Sequence, residues 1–119
     1  MSRDKNVDRI LKDALDPLLP GRAVPVVYTG TETEYIVWNY DTLGAVYAEG
    51  KPNAARYLIM VHYYLPNHQN PNQMKIRIAA ALAAAGCTWP DITNANEESG
   101  QHYVLECEYT NGGLAYGLA

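Results

Sequence analysis

Arg56-Tyr57-Leu58-Ile59-Met60-Val61-His62-Tyr63-Tyr64-Leu65 is an almost unbroken run of β-formers. Extended, it spans about 33 Å. Tyr57, Ile59, Val61, Tyr63 and Leu65 share one face of such a strand, and Leu58, Met60, His62 and Tyr64 the other. Both faces are largely apolar, which predicts a strand covered on both sides, by helices on one and by a loop or a neighbouring subunit on the other. The chain then passes through Pro66-Asn67-His68-Gln69-Asn70-Pro71 into a helix, with Asn70 as N-cap and Pro71 at the first helical position. That helix should run to about Ala85 and stop at Gly86, which accepts a left-handed conformation. Met74, Ile78, Ala81, Leu82 and Ala85 form its inward stripe, and Ala79, Ala80, Ala83 and Ala84 keep it slim enough to lie close to a sheet. Beyond Trp89-Pro90 and a polar stretch to Gly100, Tyr103, Leu105, Cys107 and Tyr109 alternate with Val104, Glu106 and Glu108, the pattern of a half-buried antiparallel strand over residues 102–110.

Upstream, Val7, Ile10, Leu11, Ala14, Leu15 and Leu18 recur at helical spacing, with Asp8, Arg9, Lys12 and Asp13 on the wet side. A helix over about residues 4–16 follows, limited by Pro17 and broken by Pro20-Gly21. Val24 to Tyr28 reads as an edge or terminal strand, because Pro25 has no N–H to donate. Tyr35-Ile36-Val37-Trp38-Asn39-Tyr40 is its expected hairpin partner across the polar turn Thr29 to Glu34. Asp41-Thr42-Leu43-Gly44 should turn the chain, Ala45 to Ala48 should form a brief strand, and Glu49 to Asn53 a loop without core-forming residues. The expected architecture is α+β in two layers, a small, mostly antiparallel sheet with two helices packed on one face. Residues 1–110 read as a single domain and residues 111–119, with three glycines, as a mobile tail.

At 119 residues, 48% hydrophobic and 18% charged, the composition is that of one packed soluble domain. No apolar run approaches the ~20 residues of a membrane-spanning helix. Met1-Ser2-Arg3-Asp4-Lys5 has no apolar leader region, so the expectation is synthesis and folding in the cytoplasm. The net charge of −4 and the dispersed Lys and Arg residues argue against sequence-specific nucleic-acid binding. Cys87 and Cys107 are expected to be buried free thiols. The chain has ten Tyr and no Phe, which suits surfaces that are half exposed or covered by another subunit, and suits lineage drift equally well.

Catalytic patterns are weak. His62, His68 and His102 lack helical metal-ligand spacing; His62 and His102, on neighbouring strands, could approach a site with Cys107 or Glu106, but hydrogen-bonded sheet histidines are the commoner outcome. Cys87 follows a helix C-terminus, where the dipole disfavours a thiolate, and Cys107 sits among core positions. Glu106 and Glu108, about 7 Å apart on one strand face, read as solvated carboxylates. Nucleotide-binding, hydrolase and metalloprotease motifs are absent from the sequence. The expectation is therefore no catalytic residue, no metal and no cofactor.

Taken with the order of elements, four phrases, Tyr35 to Tyr40, Arg56 to Tyr64, Ala85-Gly86-Cys87-Thr88-Trp89-Pro90 and Gly100 to Tyr109, give residues 7–110 a resemblance to the small tail-completion, or head-to-tail joining, proteins of long-tailed bacteriophages and prophages. The phrases are structural and none is a functional signature. The resemblance implies a non-enzymatic virion protein of the terminator type: an α+β subunit that assembles in the host cytoplasm into a ring, commonly a hexamer, at the head-proximal end of the tail. There it would cap the tube and join the tail tube protein to the head connector protein, with DNA only passing through and no membrane contact. Tyr47, Glu49, Lys51 and Arg56 are the candidate subunit-interface residues, in and beside a loop without self-burying side chains. Glu32 and Glu34 are candidates for a channel lining that repels phosphate, with solvated turn carboxylates as the plainer reading. The alternative from another class is a small ligand-binding module or enzyme with a Tyr- and His-lined pocket between sheet and helices.

Overall fold

The computed structural model describes residues 5–48 and 51–111. In chain order the elements are α1 (Lys5–Leu15), β1 (Ala23–Pro25), β2 (Tyr35–Ala48), β3 (Lys51–Leu65), α2 (Asn72–Ala84), β4 (Asp91–Asn94) and β5 (Gln101–Asn111). The strands form one mixed sheet in the order β1-β2-β3-β5-β4, antiparallel except where β1 runs parallel to β2. The class is α+β, as the sequence predicts.

β3 is the middle strand, and its alternation organises the core. Tyr57, Ile59, Val61, Tyr63 and Leu65 are buried and join Ile36, Trp38 and Tyr40 of β2 and Tyr103, Leu105 and Cys107 of β5 in a single apolar cluster. α1 adds Val7, Leu11 and Leu15, and α2 adds Ile78, Ala79 and Leu82. Each fully buried aliphatic side chain contributes roughly 1.5–3 kcal/mol. Trp38, fully buried, donates its indole N–H to Asp8 Oδ1 at 3.0 Å, so half-buried Asp8 also ties α1 to the sheet. The other face of β3 departs from expectation: Leu58, Met60, His62 and Tyr64 are only half-buried and lie outside the core cluster. Within the described chain they remain partly open to solvent.

The helix ends follow local chemistry. Asn70 Oδ1 accepts the N–H of Asn72 at 2.9 Å, but α2 begins at Asn72, one residue later than expected, with Pro71 instead of Asn70 at the N-cap position. Gly86 has φ +100°, and the N–H groups of Gly86 and Cys87 bond to Ala83 O at 3.1 Å and Leu82 O at 3.0 Å, closing a Schellman turn. The buried face of α2 is rotated from the predicted stripe: Ala79 is inside, whereas Ala81, Ala84 and Ala85 border Ile10, Asp13 and Ala14 of α1 in a shallow groove. The slim face therefore serves helix–helix contact instead of close approach to the sheet.

Three predicted features are corrected by the strands. β1 and β2 are not a hairpin; they pair in parallel, Ala23 opposite Ile36 and Pro25 opposite Trp38. The cause is Val26, whose φ of 69° turns the chain out of the sheet, with Val27 N–H reaching back to Pro25 O at 2.8 Å. Asp41 to Gly44 is not a turn: β2 continues through it, and Leu43 is an extra residue between the pairs Thr42–Tyr57 and Gly44–Arg56. A bulge absorbs the turn-forming residues without breaking the strand. Ala45 to Ala48 is strand, as expected, but as the continuation of β2; Lys51 to Asn53, expected as loop, belongs to β3, with Ala48 opposite Lys51, and Glu49 and Gly50 lie outside the described residues. The expected tail is described only at Asn111, which belongs to β5, and residues 112–119 lie outside the description. β4 was not predicted. All its residues are exposed, so it carries no apolar alternation and is held by backbone pairing to β5.

A β-branched residue in the left-handed region costs roughly 1–3 kcal/mol, of which the entropy of a glycine returns about 0.5–1 kcal/mol. Val26→Gly, at an exposed position, is expected to stabilise the fold by about 1 kcal/mol in urea-unfolding curves.

Candidate functional site

Strand register brings Tyr35 at the start of β2, Tyr64 at the end of β3 and His102 at the start of β5 directly opposite one another. Their rings stack: Tyr35 on Tyr64 with centroids 4.8 Å apart, and Tyr64 on His102 at 4.2 Å with planes 13° apart. Tyr28, from the loop after β1, extends the ladder by stacking on Tyr35 at 4.5 Å. Its ring folds over Gly30, where any added Cβ would collide with it, and its hydroxyl accepts the Glu32 N–H at 3.2 Å. Only glycine leaves room for this arrangement. At the far end His62 Nδ1 and His102 Nε2 are 2.8 Å apart, so a proton on one nitrogen is shared with the other.

The ladder borders an open cleft of about 630 Å3 at the end of the sheet, with Glu32 and Glu97 at its rim. Beneath it, buried Gln101 donates to Pro66 O at 2.9 Å and Gln69 O at 2.6 Å and accepts the Tyr103 hydroxyl at 2.6 Å. One amide thus ties the connection before α2 to β5. The Asn96 side chain accepts the His102 N–H at 2.8 Å, anchoring the opposite wall.

Burial disfavours charge at His62, Tyr64 and His102. It lowers the His62 pKa, helped by the adjacent His102, and lowers that of His102 against the opposing pull of Glu97. Burial, then Tyr35 and Glu97, raises that of Tyr64. The cleft is therefore aromatic and neutral inside, with carboxylates at its mouth.

The residues singled out in the sequence are dispersed. Glu32 is exposed and lines the cleft. Glu34 accepts the Tyr63 hydroxyl at 2.6 Å and lies 3.8 Å from Arg22, so it is held within the fold. Burial and then this bond push the Tyr63 phenol well above its ordinary pKa. Arg56 pairs with Glu108 at 2.8 Å, which separates Glu108 from any joint chemistry with Glu106. Tyr47 and Lys51 lie in the paired end of β2 and β3, opposite Pro52 and Ala48, and Glu49 is outside the described residues. His62 and His102 do meet, but Cys107 points into the core, and no group of three potential metal ligands exists among the described residues. Cys87 and Cys107 are buried free thiols; hydrogen bonding to Cys87 and then burial push the Cys107 thiol up. The Tyr28–Tyr35–Tyr64–His102 ladder escaped sequence analysis because its members are distant in the chain and meet only through register.

The chain matches no protein-family model, and no curated protein matches it.

Two outcomes are expected. Gln101→Leu leaves the Tyr103 hydroxyl and two carbonyls without their partner and should cost about 2–3 kcal/mol in urea unfolding. Because both imidazole pKa values lie below the ordinary 6.5, the unfolded chain binds more protons than the folded one as pH falls through that value. Stability contributed by the pair is full above about pH 6.5 and is lost on acidification until the folded pair itself protonates. Thermal midpoints should fall between about pH 7.5 and about pH 5, and a His62→Gln, His102→Gln double variant should flatten that part of the profile.

Proposed function

We propose that this chain is a structural component of a long-tailed phage or prophage, acting at the head-proximal end of the tail. Copies form a ring, most simply a hexamer, which caps the tail tube and presents a surface to the head connector; no reaction is involved. The observation that carries this reading is the arm formed by β2 and β3. β5 follows β3 only as far as Ala55 opposite Asn111, and β1 flanks only Ile36 to Trp38 of β2. From there the two strands continue to Ala48 opposite Lys51 with no other described strand beside them. An isolated two-stranded ribbon is at best marginally stable, and open strand edges are completed by pairing with another chain. The molecule is correspondingly elongated, 54 × 24 × 23 Å. Its radius of gyration is 15.4 Å, against about 13.5 Å for a compact chain of this length.

Tyr47 and Lys51 belong to this arm, and the Arg56–Glu108 pair braces its base. Such an arm suits a subunit whose stability is completed by its neighbours in a ring. The net charge of −4 suits a passage through which DNA slides without adhering. The half-buried row Leu58, Met60, His62 and Tyr64 offers a second face for the tube or connector protein. The Tyr28–His102 cleft supports a second reading, a ligand-binding role.

Replacing Val46 to Ala54 by a two-residue Asn-Gly turn should leave a folded monomer with a thermal midpoint within a few degrees of the parent. In electron micrographs of assembly reactions the same variant should yield full heads without tails, or tails of uncontrolled length. Normal virions from the shortened chain would overturn the proposal.

A further inference from the structure

Cys87 and Cys107 are the chain's two cysteines, and the fold brings them together in the core cluster. Contacts on either side fix their approach. Gly86, at its positive φ, stands against the Tyr109 ring, where an added Cβ would lie 3.5 Å from a ring carbon. Thr88 N–H donates to Glu108 O at 2.9 Å, and Thr88 Oγ1 accepts the Glu108 N–H at 2.9 Å. The Cys87 N–H is held by Leu82 O in the turn that ends α2. Residues 86–88 therefore run alongside residues 107–109, and the two thiols hydrogen-bond to each other. Cys107 is sealed in the core, whereas exposed Gly86, Thr88 and Trp89 flank Cys87 and give a small oxidant a short approach to it.

We infer that Cys87 and Cys107 are an oxidation site, at which a peroxide joins the two thiols into a disulfide that staples the end of α2 to β5, whatever the chain's role in tail assembly. The Cys107 S–H donates to the Cys87 sulfur and so favours the thiolate there, against the opposing effects of burial and of the α2 dipole. The Cys87 thiolate attacks one oxygen of the peroxide and the O–O bond breaks, giving a sulfenic acid and a hydroxide that takes up a proton and leaves as water. The Cys107 sulfur then attacks the Cys87 sulfur, loses its proton and expels the sulfenic hydroxyl as a second water. Two thiols lose two electrons, and hydrogen peroxide is reduced to two waters. The covalent loop encloses β4, which has no buried residue of its own, and the cleft wall formed by Glu97, Ser99, Gly100, Gln101 and His102. Closing such a loop restricts the unfolded chain and stabilises the folded one. A reducing compartment keeps both groups as thiols, so the staple marks exposure to oxidant.

The test is treatment of the full chain with dilute hydrogen peroxide, followed by intact-mass measurement, peptide mapping and thermal unfolding. The monomer should lose about 2 Da, the mass of the two thiol hydrogens. Cleavage after Glu97 and Glu98 separates the cysteines in sequence, so their peptides should stay joined until a reductant is added. The thermal midpoint should rise by about 5–10 °C and return on reduction. Cys87→Ala and Cys107→Ala variants, each compared with and without peroxide, should show no rise. Two thiols still alkylated by N-ethylmaleimide after peroxide and unfolding would overturn the proposal, as would oxygen added at either cysteine without a link, or a link between two chains. An internal link that leaves the midpoint unchanged would overturn the staple.

Discussion

β3 is paired on both sides along most of its length, and every other part of the molecule is placed relative to it. Its registers with β2 and β5 put Tyr57, Ile59, Val61, Tyr63 and Leu65 on one face, where they share a single core with buried residues of both helices. The period of a strand is two, so a slip of one residue would carry this whole row to the open face and bring Leu58, Met60, His62 and Tyr64 inward. The buried row thus locks the register, and the register in turn aligns Tyr35, Tyr64 and His102 on the opposite face. Core and cleft are two consequences of one pairing.

The preference for tyrosine over phenylalanine has a local explanation at several sites. Tyr63 and Tyr103 are buried among apolar neighbours, and each gives its hydroxyl to an internal acceptor, Glu34 and Gln101. Tyr28 uses its oxygen to close the Gly30 loop. Tyr40 and Tyr57 meet edge to face at 5.6 Å. At Tyr63, Tyr103 and Tyr28 a phenylalanine would pack comparably but would lose the hydrogen bond to Glu34 Oε2, the Gln101 amide oxygen or the Glu32 N–H. The ladder on the open face follows the same logic, since tyrosine can cover a sheet while keeping its polar end in water.

The arm and the cleft lie toward opposite ends of the long strands, with the packed body between them. β2 enters beside the cleft at Tyr35 and leaves into the arm at Ala48; β3 returns along the same path to Leu65. A contact made by the arm and an occupant held by the ladder would therefore act on the same pair of strands from different ends. The Leu43 bulge lies between the two regions.

Patterns that depend on neighbours in the chain were legible in the residues alone. The stripe of Val7, Leu11 and Leu15, the Gly86 stop, the alternation in β3 and β5 and the edge position of the Pro25 strand are local matters of period, backbone freedom and missing donors, and all appear in the structure. Tertiary structure alone decided the rest. The parallel pairing of β1 follows from one positive φ at Val26, a valine that no propensity places there. Asp41 to Gly44 kept its strand because the partner strand continued opposite it. β4 exists because β5 offers an unpaired edge. Tyr28, Tyr35, Tyr64 and His102 became neighbours because stacking needs a distance of about 4–5 Å in space, and separation along the chain says nothing of that until the registers are set.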